Sequence, residues 1–226
     1  MEVNGYKIEP DAFITNTVLN GAILNHANLT GAILWSSHLY NANLKDANLT
    51  RADLTHANLT NANLTNAKLI QANLAHTDLA YANLTGANLT DANLKNAFMS
   101  DANLTGANLK NAFMSDANLT GANLTGANLA DAFLESADLT WANLTDANLN
   151  AAKLMNAYLI NTDLSMTYLW AADFTHADLT RANLKDASLR YANLTRANLR
   201  NSDFTGADLT YANITGATMP DGTIHD

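Results

Sequence analysis

From about Ala12 to Asp221 the chain repeats every five residues without a break, and that period excludes the two ordinary ways of building regular structure. Large apolar centres fall at position 14 and every fifth residue to 219, making 42 units, of which 35 carry Leu; the others are Ile14, Met99, Met114, Phe174, Phe204, Ile214 and Met219. On an α-helix, five steps advance about 500°, so the centres would spiral around every side. On a long strand, an odd period sends successive centres to opposite faces. What remains is a short extended piece followed by a corner. Two residues before the centre stands Ala in 36 of the 42 units, the exceptions being Thr17, Ser37, Thr77, Thr162, Thr167 and Ser202. Ala and the centre, two apart, point inward together, while the residue between them, here called the shoulder, points out. The shoulder is Asn or Asp in 28 units, and the step that follows the centre is often Thr. A turn at the fifth position, the corner, then redirects the chain, where glycine is useful for positive φ. Repetition coils the backbone into an all-β solenoid with a filled, leucine-lined bore.

The consensus Ala-Asn-Leu-Thr-x resembles the pentapeptide repeat family over about 210 of the 226 residues. The resemblance implies a right-handed quadrilateral parallel β-helix, four units to a square coil of about 20 residues, and so about ten coils. At the interstrand spacing of about 4.8 Å the rod is roughly 50 Å long. The ending Ala217-Thr218-Met219-Pro220-Asp221-Gly222-Thr223-Ile224 resembles tails of cyanobacterial members. We expect an N-terminal cap segment over 1–11, the repeat β-helix over 12–221 and a tail over 222–226. Tyr6, Ile8 and Pro10 are the expected lid at the start; Ile224 is expected to fold over the bore at the finish, where Pro220 lacks the donor that a further rung needs.

With four units per coil, residues twenty apart are vertical neighbours. One side then stacks the triplet Asn-Leu-Thr in five coils, from Asn63/Thr65 to Asn143/Thr145, and amide and hydroxyl ladders are expected to run along the rod there. A flat threonine array also resembles the ice-binding face of β-solenoid antifreeze proteins, a minor alternative. Phe113 and Phe133 are expected to stack, as are Tyr191 and Tyr211; His56 and His76 are vertical neighbours on one side that could clamp a metal only with help, no third ligand stacks with them, and two exposed imidazoles are expected.

Charge divides the chain. The net charge is -9, and between 101 and 178 nine acids face only Lys110 and Lys153; from 181 to 200, five bases face only Asp186. Fluoroquinolone-resistance members of the family present a negative rod that imitates duplex DNA and occupies DNA gyrase, so the resemblance implies a DNA-mimicking modulator of gyrase or another topoisomerase as one alternative. Against it, the acids fall on several sides, and the chain lacks both the loop interruptions of the plasmid-encoded resistance proteins and the C-terminal dimerisation helix of the mycobacterial member. Asp in place of Asn at positions that accept both, and a net charge that keeps a rod soluble, account for the same acids.

Outward apolar residues gather between 141 and 170: Trp141, Met155, Tyr158, Ile160, Met166, Tyr168 and Trp170 form a belt on different sides of the rod and are the candidate interaction surface. If the belt joins two copies, Trp141→Asp or Trp170→Asp is expected to abolish the dimer. An exact duplication, Ala92–Gly106 repeated as Ala107–Gly121, shifts outward residues by three sides of the square, which suits a spacer more than a face-specific surface.

No Ser-His-acid or Cys-His set, P-loop or Gly-x-Gly-x-x-Gly cradle occurs, cysteine is absent, and a filled bore leaves no pocket, so no catalytic, cofactor or metal site is expected. No apolar run approaches the ~20 residues of a membrane span, and the N-terminus carries no signal-peptide pattern. About a dozen Asn-x-Thr triplets argue against passage through a glycosylating pathway. The expectation is a cytoplasmic, non-catalytic protein-binding or scaffolding rod, monomer or homodimer, with an unidentified protein partner, no direct nucleic-acid binding and no membrane.

Overall fold

A computed structural model describes residues 2–226. Shoulder residues pair in parallel with the shoulder twenty residues on, from Phe13 with Ile33 to Asn198 with Thr218. A bridge at every twentieth residue on all four sides makes each coil a square of four units, the right-handed quadrilateral β-helix. The first side carries centres Ile14 to Ile214, the second Leu19 to Met219, the third Leu24 to Phe204 and the fourth Leu29 to Leu209, each in steps of twenty. The ladders are one residue wide. The only longer strands among the described residues are β1 (Glu2–Val3) and β2 (Tyr6–Lys7), an antiparallel hairpin ahead of the first coil.

Three backbone bonds per unit hold the coils together. In the unit centred on Leu104, the Leu104 N–H donates to Asn123 O at 2.7 Å, Gly106 N–H to Thr125 O at 2.9 Å, and Asn123 N–H returns to Ala102 O at 2.9 Å. The corner closes locally, Ala107 N–H donating to Leu104 O at 2.9 Å. All 41 corner residues from Asn16 to Gly216 have φ between 50° and 75°, and 33 of them are not glycine. Positive φ at the third turn residue and not the second marks a type II turn. No corner residue is Val, Ile or Thr, the residues whose branched Cβ tolerates this region least. Asn, Asp and Gly fill 24 of the 41 corners, which explains why seven of the acids stand there.

The shoulder preference has an equally local cause. The N–H of each step residue has no backbone acceptor, and at all 28 Asn or Asp shoulders the side-chain Oδ1 accepts it. A Thr step often adds its hydroxyl to the same oxygen, as Thr105 does with Asn103 at 2.6 Å. Asn and Asp offer the same acceptor, so either fits.

Inside, the bore is filled. Every centre from Leu19 to Leu199 and every inward Ala, two residues before a centre, between Ala32 and Ala197 is at most 1% exposed. Each buried Leu contributes about 1.5–3 kcal/mol over an exposed one, a gain available only once coils stack. The hydroxyls that replace Ala are all satisfied: Thr77 donates to Leu54 O at 2.8 Å, Thr162 to Leu139 O at 2.7 Å, and Ser37 to Ile14 O at 2.6 Å.

The ends depart from expectation. At the start Ile8 alone of the proposed lid is buried, with Val3 packed against the core, while Tyr6 on the hairpin and Pro10 beyond it lie exposed. At the finish Ile224 is 69% exposed and does not cover the bore. Its segment pairs antiparallel with Thr218 at the rim of the second side, which holds the side chain outside the mouth.

Candidate functional site

The square coil distributes the seven candidate residues over all four sides. Trp141, Tyr158 and Ile160 share the second side, Tyr168 and Trp170 the fourth, which lies opposite; Met155 is on the first and Met166 at the corner of the third. Trp141, Tyr158, Met166, Tyr168 and Trp170 are exposed, whereas Met155 and Ile160 are half-buried.

On the fourth side the aromatic residues continue where the sequence reading stopped. Trp170 meets Tyr191 edge-on, ring centroids 6.2 Å apart at 67°, and Tyr191 stacks on Tyr211 at 5.0 Å. With Tyr168 this forms an aromatic edge three coils high. Tyr168 costs its unit the shoulder oxygen, and the Trp170 N–H donates to Asn150 Oδ1 one coil below at 2.8 Å. An Asn step beneath a bulky shoulder is the signal that marks this arrangement in sequence; Asn20 serves the Tyr40 N–H in the same way at 3.1 Å. Beside the edge, Arg190 pairs with Asp208 at 3.5 Å. Asp208 is held below its ordinary value of 3.8 by hydrogen bonds from the Thr210 hydroxyl and N–H, with Arg190 adding to the effect. Asp203 is lowered likewise by Thr205, with a smaller pull from Lys185. The basic coil 181–200 is therefore partly matched by acids of the coil above it.

A second apolar zone was not singled out in sequence. Phe13, Val18 and Ile23 are 72%, 59% and 67% exposed at consecutive shoulders of the first coil, and Trp35 and Tyr40 stand exposed one coil on. Exposed apolar surface is thus not confined to 141–170. The signal was available: five of the six shoulders from 13 to 38 lack Asn or Asp.

The expected stack of Phe113 on Phe133 forms at 4.9 Å, and the exposed His56 and His76 rings also stack, at 4.8 Å. No group of three metal-ligating side chains occurs among the described residues. The Asn-Thr ladders differ from expectation. On the third side each Thr hydroxyl bonds the Asn of its own unit, from Thr65 with Asn63 to Thr145 with Asn143, because the turn brings the step back to its own shoulder. Amide bonds between coils occur on all four sides, such as Asn93 to Asn73 at 3.0 Å, Asn198 to Asp178 at 3.2 Å, Asn63 to Asn43 at 3.3 Å and Asn128 to Asn108 at 3.1 Å, and among the described residues none joins Asn83, Asn103, Asn123 or Asn143 to the coil below. The acids of the repeat lie on all four sides, and eight stand at shoulders. Among the described residues no helix is long and apolar enough to cross a membrane.

A family model described as pentapeptide repeats matches in eight copies, in overlapping stretches that run from residue 11 to 220. Among curated proteins none matches. Among solved structures, the chain is similar to HetL, a pentapeptide repeat protein involved in heterocyst differentiation regulation from the cyanobacterium Nostoc sp. strain PCC 7120. The identity is 34% over 96% of this chain and 92% of that one, with a TM-score of 0.56. It is similar to Rfr23, a pentapeptide repeat protein from the cyanobacterium Cyanothece 51142, at 32% identity over 48% of this chain and 91% of that one, TM-score 0.41. Similarity to QnrB1, a plasmid-mediated fluoroquinolone resistance protein, is 19% over 89% of this chain and 90% of that one, TM-score 0.55, and concerns the fold.

Proposed function

Since the chain belongs to the pentapeptide repeat family, we propose that it is a non-catalytic protein-binding rod whose principal contact is the aromatic edge of the fourth side. The observation that carries this is the run Tyr168, Trp170, Tyr191 and Tyr211, large apolar rings held in register on a rigid face beside an Arg190–Asp208 pair. Aromatic and arginine side chains dominate the energetics of protein interfaces, and a scaffold whose backbone is bonded coil to coil presents them with little entropy left to lose. Trp141, Tyr158 and Ile160 give the opposite side a second contact area, so that the rod bridges two partners or two copies. HetL is described as involved in regulating heterocyst differentiation, and we extend to this chain only a regulatory mode of action through protein contacts. A cytoplasmic setting agrees with the Asn-x-Thr triplets, whose amides and hydroxyls are engaged with each other.

The test replaces the edge by residues that the repeat itself prefers, Tyr168→Asn, Trp170→Thr, Tyr191→Asn and Tyr211→Gly together, so that the coil keeps its turns. Affinity capture from the native host is compared between wild type, this variant and a control carrying Asn83→Asp and Asn103→Asp on the third side. A partner held by wild type and control and lost by the edge variant is the expected result; retention by the edge variant contradicts the proposal. The gyrase alternative is read separately. Backbone geometry already accounts for the acids at shoulders and corners, so no effect on DNA supercoiling by gyrase is expected, and inhibition by the wild-type rod would replace our reading with the DNA mimic.

A further inference from the structure

The second side sorts its charges by height. Three of the five bases in 181–200 stand on it: Arg196 at the corner where the chain enters the side, Arg200 at its step, and Arg181 at the corner where the chain leaves it one coil lower. Arg181 N–H donates to Arg200 O at 2.9 Å, so these two bases are neighbours. All three are exposed, and among the described residues their guanidinium groups make no ion pair or hydrogen bond, whereas Lys185 and Arg190 have Asp203 and Asp208 beside them. Four coils below each corner base, in the same column, stands an exposed acid: Asp116 under Arg196 and Asp101 under Arg181, and neither carboxylate is bonded within the described chain. The shoulder acids of this side differ, for Asp138 and Asp178 are engaged by their own steps, Thr140 and Thr180. Between the acidic and basic levels lie Trp141 and Tyr158, 66% and 52% exposed, and the half-buried Ile160. On the first side, by contrast, shoulder and step charges alternate along the rod as Asp53, Lys95, Glu135, Lys153 and Asp173.

We infer that the second side is the docking surface for a second copy of this chain, laid face to face and antiparallel. The inference rests on the second contact area proposed above and gives it an occupant; it does not involve the aromatic edge of the fourth side. Charge decides both the occupant and its direction. A parallel copy brings bases to the level of bases and acids to the level of acids, and like charges across an interface repel. An antiparallel copy, turned about the level midway between Asp138 and Tyr158, brings Arg200 level with Asp101 of the second copy. It also brings Arg181 and Arg196 within one rung, about 5 Å, of Asp101 and Asp116, an offset that an arginine side chain spans. The same operation sets Tyr158 opposite Asp138 and lays Trp141 beside Ile160 of the second copy. An apolar centre is then flanked by charge pairs on both ends, the anatomy of a specific protein interface. A quarter of the rod's 9397 Å² surface, over six of its coils, is roughly 1,400 Å², above the ~800 Å² per partner of a standard interface. Because each copy gives its bases to the acids of the other, the contact closes at two copies.

Charge reversal, read by light scattering, tests it. In low salt, wild type is expected to pass from 24.2 kDa to twice that mass across a concentration series. One variant carries Arg181→Asp, Arg196→Asp and Arg200→Glu, the other Asp101→Arg and Asp116→Arg; residues of these types already stand at other corners and steps of the repeat. Each variant alone is expected to weaken the dimer by roughly tenfold or more, and an equal mixture of the two is expected to restore it, because every pair across the contact is complementary again. Should a variant lose its β-type circular dichroism, the wild type decides: salt near 1 M, which shortens the screening length to about 3 Å, is expected to weaken the dimer, and indifference to salt contradicts the proposal. A wild type that stays monomeric at hundreds of micromolar, a dimer that survives both reversals, or a mixture of two folded variants that fails to pair would each overturn the face-to-face contact. Such a failure leaves the fourth-side reading intact, since affinity capture by the aromatic edge depends on residues that none of these substitutions touches.

Discussion

At Asn103, one side-chain oxygen serves an amide that nothing else in the chain serves. It accepts Thr105 N–H at 3.1 Å and the Thr105 hydroxyl at 2.6 Å. Asn103→Asp keeps that acceptor and is expected to leave stability within about 0.5 kcal/mol, whereas Asn103→Ala strands a partly buried N–H and costs about 0.5–1.5 kcal/mol in urea unfolding. Equal losses for both would refute the shoulder's role as acceptor. The same logic explains the acids. Asp53, Asp78, Asp138, Asp163, Asp173, Asp178, Asp203 and Asp208 are shoulders, each bonded to its own step, so their distribution over four sides follows the backbone. Corner residues such as Trp141 and Tyr211, both at φ 63°, run against intrinsic preference by about 1–2 kcal/mol.

At the scale of one coil, the element is twenty residues whose own hydrogen bonds only close its corners and shoulders, while its ladder bonds all run to neighbouring coils. Stability is therefore expected to add coil by coil. Deleting residues 101–120 removes one whole coil and keeps every phase, so the shortened chain is expected to unfold cooperatively with its β-type circular dichroism intact; deleting 101–112 breaks the five-residue phase and is expected to abolish folding. The opposite pair of results would contradict the square coil. The terminal coil adds a pH dependence. Asp203, Asp208 and Asp221 are held below 3.8 chiefly by the hydroxyls, and then the amides, of Thr205, Thr210 and Thr223. A carboxylate with a depressed folded value contributes stability that is present above 3.8 and lost as the pH falls through the folded value. NMR is expected to read midpoints below 3.8 for all three, with the amide shifts of Thr205, Thr210 and Thr223 moving as the pH is lowered past 3.8. Amides that stay fixed as it falls would contradict the assigned bonds.

Across the whole molecule, the bore was legible because inward direction depends on nothing but spacing. Ala and Leu two apart must share a side, and five-residue phasing holds over 42 units. The number of sides was not legible from spacing, since any closed polygon buries the same leucines; family resemblance supplied four, and the bridges at every twentieth residue show it. Stacks followed once four was in hand, as Phe113 on Phe133 did. What escaped was what depends on the ends and on side-chain reach. Ile224 reads as a lid in sequence, yet backbone pairing with Thr218 keeps it at the rim. Tyr191 and Tyr211 read as a local stack, yet Trp170 reaches across a coil to make them one surface with the predicted belt. The first-coil residues Phe13, Val18 and Ile23 were visible only as missing acceptors, a signal that gains meaning once the shoulder bond is known.

The four-sided coil is tested most directly by engineered disulfides, because the chain has no cysteine to interfere. Adjacent rungs lie about 4.8 Å apart, inside the 4.4–6.8 Å range of Cα separations that a disulfide spans. Asn83→Cys paired with Asn103→Cys is expected to oxidise to an intramolecular bond in the folded protein, while Asn83→Cys paired with Phe98→Cys, fifteen residues on, stays reduced. Closure of the fifteen-residue pair and failure of the twenty-residue pair would mean three sides to a coil, and every surface described above would be drawn wrongly.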